Sequence, residues 1–211
     1  LTLEKMWDKT EENISIPATD MEHYAEHPDV IFVCVKGYSL QETIPFIKRI
    51  ARKNTIVIPV LNIYGTGGKM QKELPDFLVT DGCIYVSANI KEPGKLLQHG
   101  QILHIVFGVR DKAEFRPELK EIQKDLCDSH IDGTLSENIR REALEKFSYV
   151  SPIGAAGLYY HATAADFQKE GEARELFKTM VKEIAALAEA MGVPFQKDMA
   201  EVNLKILSNL A

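Results

Sequence analysis

The side chain with the clearest chemical potential in this sequence is Lys146. It falls in the set Ile139, Ala143, Lys146 and Val150, spaced four, three and four, which is one face of an amphipathic helix and the face meant for burial. Burial disfavours an ammonium and draws its pKa toward neutrality, which suits a general acid that gives a proton to a developing alkoxide. The same spacing also suits a lysine that lays its aliphatic stem along the stripe and keeps its nitrogen in water. Periodicity alone leaves both readings open.

Two more polar residues stand at informative places. Lys36 directly follows the apolar run 31–35, and Asn62 directly follows the run 55–61. If the two runs are parallel neighbours, both side chains stand at one edge of a sheet. In doubly wound sheets that edge binds small molecules, because loops and helix N-termini converge beyond the carboxyl ends of the strands. Strands also simply end in polar residues, and either reading fits one such position.

Other motifs promise less. Gly65-Thr-Gly-Gly-Lys69 invites comparison with a phosphate cradle, but a Walker loop needs Gly where Ile63 stands and Ser or Thr where Met70 stands. It reads as a turn that lets backbone approach a ligand or a neighbouring helix. Gly154-Ala-Ala-Gly157 reads as a site of close helix packing. His23 and His27, four apart beside Glu22 and Glu26, have the spacing of a metal pair but lack a third ligand in context, so a solvated helix face is expected and no metal. The basic cluster at 48–53 lacks interleaved aromatics and reads as a solvated helix end.

The elements that must position these residues follow from the apolar period. Up to about residue 135 the apolar residues come in short β-rich runs at 31–35, 55–61, 83–86 and 102–107. Runs apolar on both faces suit a sheet covered on both sides. Ser39-Leu-Gln-Glu42 has capping-box spacing and opens a helix between the first two runs, so strand, helix and strand form a parallel unit. Pro45 predicts a break in that helix. Gly94 and Gly100 punctuate two alternating segments over 95–107 that pair as a hairpin, giving an antiparallel edge. Leu119, Ile122, Gln123 and Leu126 mark a helix over 114–127, and 130–135 reads as a short strand.

From Ser136, taken as a helix cap, everything is helical in period. Residues 172–191 carry Leu176, Met180, Ile184, Leu187 and Met191 on one stripe, and 198–210 begins another helix. The expected class is therefore α/β over 1–135, followed by an all-helical domain over 136–211.

Composition sets the bounds. With 45% hydrophobic and 27% charged residues among 211, the chain has a globular composition and not a disordered or collagen-like one. Twenty-five Lys and Arg against 31 Asp and Glu give a net charge of −6, the wrong sign for gripping phosphate backbones, so nucleic acid is excluded as the main partner. The richest apolar stretch, 55–63, is less than half the ~20 residues of a membrane helix. Cys34, Cys83 and Cys127 are unpaired in pattern and read as free buried thiols in a reducing cytoplasm.

Four features in order carry a family resemblance: Val33-Cys-Val-Lys-Gly-Tyr38, Asn62 with Gly65 three residues later, Lys91-Glu-Pro-Gly94 placed before the hairpin, and Glu142-Ala-Leu-Glu-Lys-Phe147 opening the helical domain. From about residue 15 onward the chain resembles the ketopantoate reductases (2-dehydropantoate 2-reductases). The resemblance implies a cytoplasmic, homodimeric, NADPH-dependent oxidoreductase. It also implies a partial Rossmann-like dinucleotide-binding domain over 1–135 and an incomplete helical substrate and dimerisation domain over 136–211. Such an enzyme reduces ketopantoate to pantoate in pantothenate biosynthesis. Lys146 then matches the general acid, while Lys36 and Asn62 match residues lining the nicotinamide and the 2-oxo acid.

The chain departs from the family pattern at three points. The Gly-x-Gly-x-x-Gly pyrophosphate loop does not occur in it, and the resemblance places that loop upstream of Leu1 and the family's C-terminal end beyond Ala211. Val150 and Gly154 stand where the family carries Asn, and Ile63 where it carries Gly. Two other readings accompany the first: a non-catalytic ligand-binding or scaffold relative, and a reductase of a different 2-oxo acid.

Overall fold

In the computed structural model, which describes residues 1–208, the chain divides into two units. One comprises Leu1–Leu61 and Thr66–Leu135; the other comprises Asn62–Gly65 and the residues from Ser136 on. The expected class, an α/β part with antiparallel pairing followed by an all-helical part, is the one observed.

The first unit contains β1 (Thr2–Lys5), β2 (Thr10–Asn13), β3 (Val30–Val33), α1 (Leu40–Ile50), β4 (Ile56–Pro59), α2 (Thr66–Glu73), β5 (Leu78–Val79), β6 (Asp81–Glu92), β7 (Lys95–Gly108), α3 (Glu118–Asp128) and β8 (Asp132–Leu135). Strands β3, β4 and β5 form a parallel sheet in that order. A second, mixed sheet runs β2-β1-β7-β6, with β8 parallel to β7.

Alternation along β4 explains why the parallel sheet needs cover on both sides. Ile56, Ile58 and Val60 pack with Leu119, Ile122 and Leu126 of α3. Val57 and Leu61 face the other way, onto Ile44 and Ile47 of α1 and Met70 and Leu74 of α2. Each such side chain contributes about 1.5–3 kcal/mol by leaving water. That burial also carries α1 through Pro45, where the sequence predicts a break: Ile44, Ile47 and Ile50 are all buried, and their packing outweighs the one hydrogen bond that proline removes.

The hairpin differs from expectation. It joins β6 to β7, with Gly94 at φ +79 in the turn, so Lys91-Glu-Pro-Gly94 is itself the turn region. Gly100 lies within β7, where the register jumps from Val86 opposite Leu103 to Ala88 opposite Gln98 and the residues between bulge out. Nor do residues 14–29 form a helix, so the four-residue spacing of His23 and His27 has no helical face to act on. Of the three cysteines, all free, Cys83 is buried while Cys34 and Cys127 are exposed. Each exposed one sits beside a buried residue, Val33 or Leu126, and so turns outward.

One glycine is required by its surroundings. A Cβ on Gly67 would lie 2.0 Å from the Thr80 carbonyl oxygen and 2.3 Å from Asp81 Oδ1, so α2 reaches the end of β5 only because this residue has no side chain. Asp81 is buried, accepts hydrogen bonds from the Gly67 and Gly68 backbone N–H groups, and stands 3.6 Å from Arg110 Nη1. Burial pushes its carboxyl above the usual range, and Arg110 and the two amides pull it partly back.

The second unit contains α4 (Ile139–Tyr160), α5 (Glu172–Ala190) and α6 (Met199–Ser208). The part of the last expected helix beyond Ser208 lies outside the described residues. The cap of α4 is Asn138 rather than Ser136: its Oδ1 accepts from the Arg141 N–H at 3.2 Å. Ser136 supports that turn instead, accepting from the Asn138 N–H at 3.0 Å and donating to Glu142 Oε1 at 2.6 Å. On α5 the buried row is Phe177, Val181, Ile184 and Ala188, rotated from the expected stripe, and Leu187 is left 48% exposed.

Two outcomes follow. Gly67→Ala should lower unfolding stability by about 2–3 kcal/mol, because rigid backbone opposes the added methyl; a urea midpoint equal to that of the wild type would contradict this packing. The raised Asp81 pKa stabilises the fold fully below the unfolded value near about 3.9 and loses that contribution as pH rises through the folded value. The wild-type minus Asp81→Asn difference in unfolding free energy should therefore shrink as pH is raised from acid to neutral. A difference that grows with pH would reverse the sign argued here.

Candidate functional site

The position of Lys146 is decided by which side of α4 is buried. The buried residues are Ile139, Leu144, Ser148, Pro152 and Ala156, not the expected row of Ile139, Ala143, Lys146 and Val150. Ser148 is 0% exposed and Asn203 of α6 1%. Asn203 Nδ2 donates to the Ser148 carbonyl and to its Oγ, both at 3.1 Å, while Ser148 Oγ donates to the Glu145 carbonyl at 2.7 Å. The helix turns about 100° per residue, so Lys146, two residues from both Leu144 and Ser148, lies across the axis from this row. It is half-buried there, which is less cover than a core position gives.

Asn62 belongs to the same unit as Lys146. The link is Tyr64, whose ring centroid lies 6.4 Å from that of Phe147, the residue after Lys146. Both rings pack on the cluster of Leu144, Ile184, Ala188 and Val193. The loop Asn62–Gly65 is thereby fastened to the turn of α4 that bears the lysine, with Asn62 exposed at its start and Gly65 at φ +76 closing it. Sequence reading singled out Asn62 and missed Tyr64 and Asn203. An aromatic three residues past the apolar run 55–61 and an amide in an otherwise apolar helical row are the signals that mark them.

Lys36 lies in the first unit, exposed, in extended backbone that enters the 3-10 turn Gly37–Ser39. Strands β3 and β4 are parallel with Val33 opposite Pro59. Lys36 and Asn62 each follow the last registered pair by three residues of sequence, and they belong to different units.

The charges nearest Lys146 along its own helix are carboxylates with partners. Glu142, one turn before, accepts the Ser136 hydroxyl, and Glu145 lies 4.0 Å from Arg141. Burial pushes the Glu145 carboxyl up, Arg141 and Lys197 draw it back, and Glu142 adds to the rise. Beyond Lys146 the helix carries Tyr149, Val150 and Ile153, and Tyr149 and Ile153 pack into the cluster of Phe167 and Phe177. Burial raises the pKa of the Tyr149 hydroxyl.

The glycine-rich segment does not offer a phosphate cradle. It forms the first turn of α2, and the amides that would meet a phosphate there already donate to the Asp81 carboxylate. A second anion at that point would meet like charge. Among the described residues, the glycine-rich start of α2 is thus spent on Asp81. His23 Nδ1 pairs with Asp20 at 2.7 Å and His27 Nδ1 with the Ile50 carbonyl at 2.8 Å, so the two imidazoles are separately engaged.

The description "Ketopantoate reductase PanE/ApbA" matches residues 1–112, and "Ketopantoate reductase PanE/ApbA C terminal" matches residues 138–211. A 2-dehydropantoate 2-reductase of Aquifex aeolicus (strain VF5) is 19% identical over 176 residues, which is 83% of this chain but only 57% of that protein. Among solved structures, D-mandelate dehydrogenase in a ternary structure with NADH and anilino(oxo)acetate superposes with a TM-score of 0.84 at 16% identity, over 98% of this chain and 66% of that one. The dimeric ketopantoate reductase from Staphylococcus aureus gives 0.80 at 20% identity, over 98% and 67%. At such identities the structural likeness is one of fold. The two matched segments together take in most of the sequence, and on that ground the chain belongs to the ketopantoate reductase PanE/ApbA family.

Proposed function

We propose that the protein reduces a 2-oxo acid to the 2-hydroxy acid with NADPH, with Lys146 as general acid and ketopantoate, converted to pantoate, as the first substrate to assay. The observation that carries this reading is the half-buried amine of Lys146 on the turn of α4 to which Tyr64 fastens the Asn62 loop. A nicotinamide cofactor, when bound, supplies the hydride that goes to the ketone carbon. The chain's own task is to manage the oxygen. Lys146 Nζ donates a hydrogen bond to the ketone and passes its proton as negative charge develops there, and partial burial strengthens that interaction relative to water.

The Asn62 side-chain amide, with both donor and acceptor atoms, orients the keto acid or the carboxamide of the nicotinamide. Lys36, exposed at the end of the neighbouring strand, supplies positive charge for the cofactor. We place the protein in the cytoplasm, where three free cysteines suit a reducing environment, and as a homodimer, since the Staphylococcus aureus relative is described as dimeric. The D-mandelate dehydrogenase was solved with NADH, so both nicotinamide cofactors belong in the assay.

Lys146→Ala should lower kcat by roughly 10²–10⁴, the usual range for losing a general acid, with a smaller change in KM. Turnover at the wild-type rate would remove Lys146 from the reaction. Absence of turnover with every short 2-oxo acid and both cofactors would favour a binding or scaffold protein that keeps the fold.

A further inference from the structure

We infer that Asn203 is a positioning residue for the reaction, because it supplies the hydrogen bond that Pro152 withholds from α4 and so sets the turn that carries Lys146. The inference rests on the reading that Lys146 delivers the proton, and it names a residue through which that delivery is aimed. In an α-helix each carbonyl accepts the N–H four places on. For Ser148 that place is Pro152, which has no N–H and whose ring crowds the same carbonyl. Both residues are buried, so an orphaned acceptor here has no ready recourse to water.

Asn203 answers this from another helix. It is the polar member of the buried row Met199, Ala200, Asn203, Leu204 and Leu207 on α6, where an amide is costly unless it is bonded. Its Nδ2 carries two hydrogens, and the two acceptors at 3.1 Å are the Ser148 carbonyl and the Ser148 Oγ. The Oγ in turn donates to the Glu145 carbonyl at 2.7 Å, in the peptide that leads into Lys146. One side chain of α6 thus closes the gap left by the proline and connects, through one hydroxyl, to the backbone immediately before the lysine. All of these residues belong to the helical unit.

A proline inside a helix leaves a joint at which the two halves bend. Here the joint falls between Lys146 and the C-terminal half of α4, which Ile153 and Ala156 hold in the cluster of Phe167 and Phe177. Asn203 pins that joint. Without its amide the turn bearing Lys146 is free to tilt against the anchored half, and a displacement of about 1 Å at a reacting group costs on the order of 10² in rate.

Asn203→Leu, close in volume and unable to donate, should lower kcat with a 2-oxo acid by about 10² and leave KM nearly unchanged, measured well below the unfolding midpoint. In a Pro152→Ala background the N–H of residue 152 takes up the Ser148 carbonyl, so the same substitution should cost about tenfold less. Labelling of Lys146 by trinitrobenzenesulfonate, followed by peptide mass spectrometry, reads the amine without turnover. Its rate should depart from wild type in Asn203→Leu and return toward it in the double variant. Should Asn203→Leu not fold, Asn203→Ser, whose hydroxyl is one bond shorter than the amide, serves for the same readings. A wild-type kcat in the folded variant, or an equal loss in both backgrounds, overturns the inference. An unchanged labelling rate does so whether or not the protein is a reductase. The expected labelling pattern with no turnover of any 2-oxo acid by the wild-type protein would instead overturn the reductase reading and leave Asn203 as the residue that orients the amine.

Discussion

The rotation of α4 about its own axis is the constraint on which the site depends. It is held by a fully buried pair, Ser148 and Asn203, in which one amide donates to both a carbonyl and a hydroxyl. Rotating the helix by one residue would strand Asn203 without its Ser148 partner at a cost of about 1–3 kcal/mol and, in one sense of rotation, carry Glu145 toward the place now held by Leu144. The helix therefore has one acceptable setting. Lys146 is half-exposed in that setting because it lies opposite the row, and Phe147 is available to receive Tyr64. A polar pair in the core of the helical unit thus fixes an amine at its surface.

The second organising fact is that the chain answers its own charges near the sheet. Asp81 takes the two amides at the start of α2 and meets Arg110 on its other side. Arg110 also donates to the Val79 carbonyl at 2.8 Å, and Gln71 Oε1 accepts the Val79 N–H at 3.0 Å. A glycine-rich helix start that resembles an anion site in sequence is thereby spent on tying α2 to the strand beside it. The same feature accounts for Gly67, whose lack of a side chain allows Asp81 to approach. Structure and chemistry part here, because a motif's shape does not say which anion fills it.

Much of the fold was legible because burial writes a period into the sequence. The continuous apolar run of β4 announced a strand covered on both faces, and the change of period after residue 135 announced the helical part. Less legible were features set by partners far away in the chain. Strand β2 is entirely exposed and carries no apolar alternation. It is held by its antiparallel pairing with β1 and by the ion pair of Lys5 with Glu12 at 2.6 Å, which no local pattern reveals. The faces of α4 and α5 were misassigned for a related reason: several aliphatic residues on each helix satisfy more than one stripe, and the choice falls to partners from elsewhere, Asn203 for α4 and Phe167, which packs on Phe177, for α5. Of the site, Lys36, Asn62 and Lys146 were readable as types at suggestive positions. That Tyr64 draws the Asn62 loop into the helical unit was not, since a strand-end loop ordinarily stays with its strand.

Chemical rescue of Lys146→Ala by small primary amines is the most direct test of the central claim, that an amine at this point on α4 delivers the proton. If it does, added methylamine or ethylamine should restore NADPH-dependent reduction of a 2-oxo acid in proportion to the concentration of the alkylammonium form, without altering the wild-type rate. If the lysine only supports the fold, the amines will leave the variant as inactive as before while its unfolding midpoint is shifted from that of the wild type, and the assignment of Lys146 as proton donor falls.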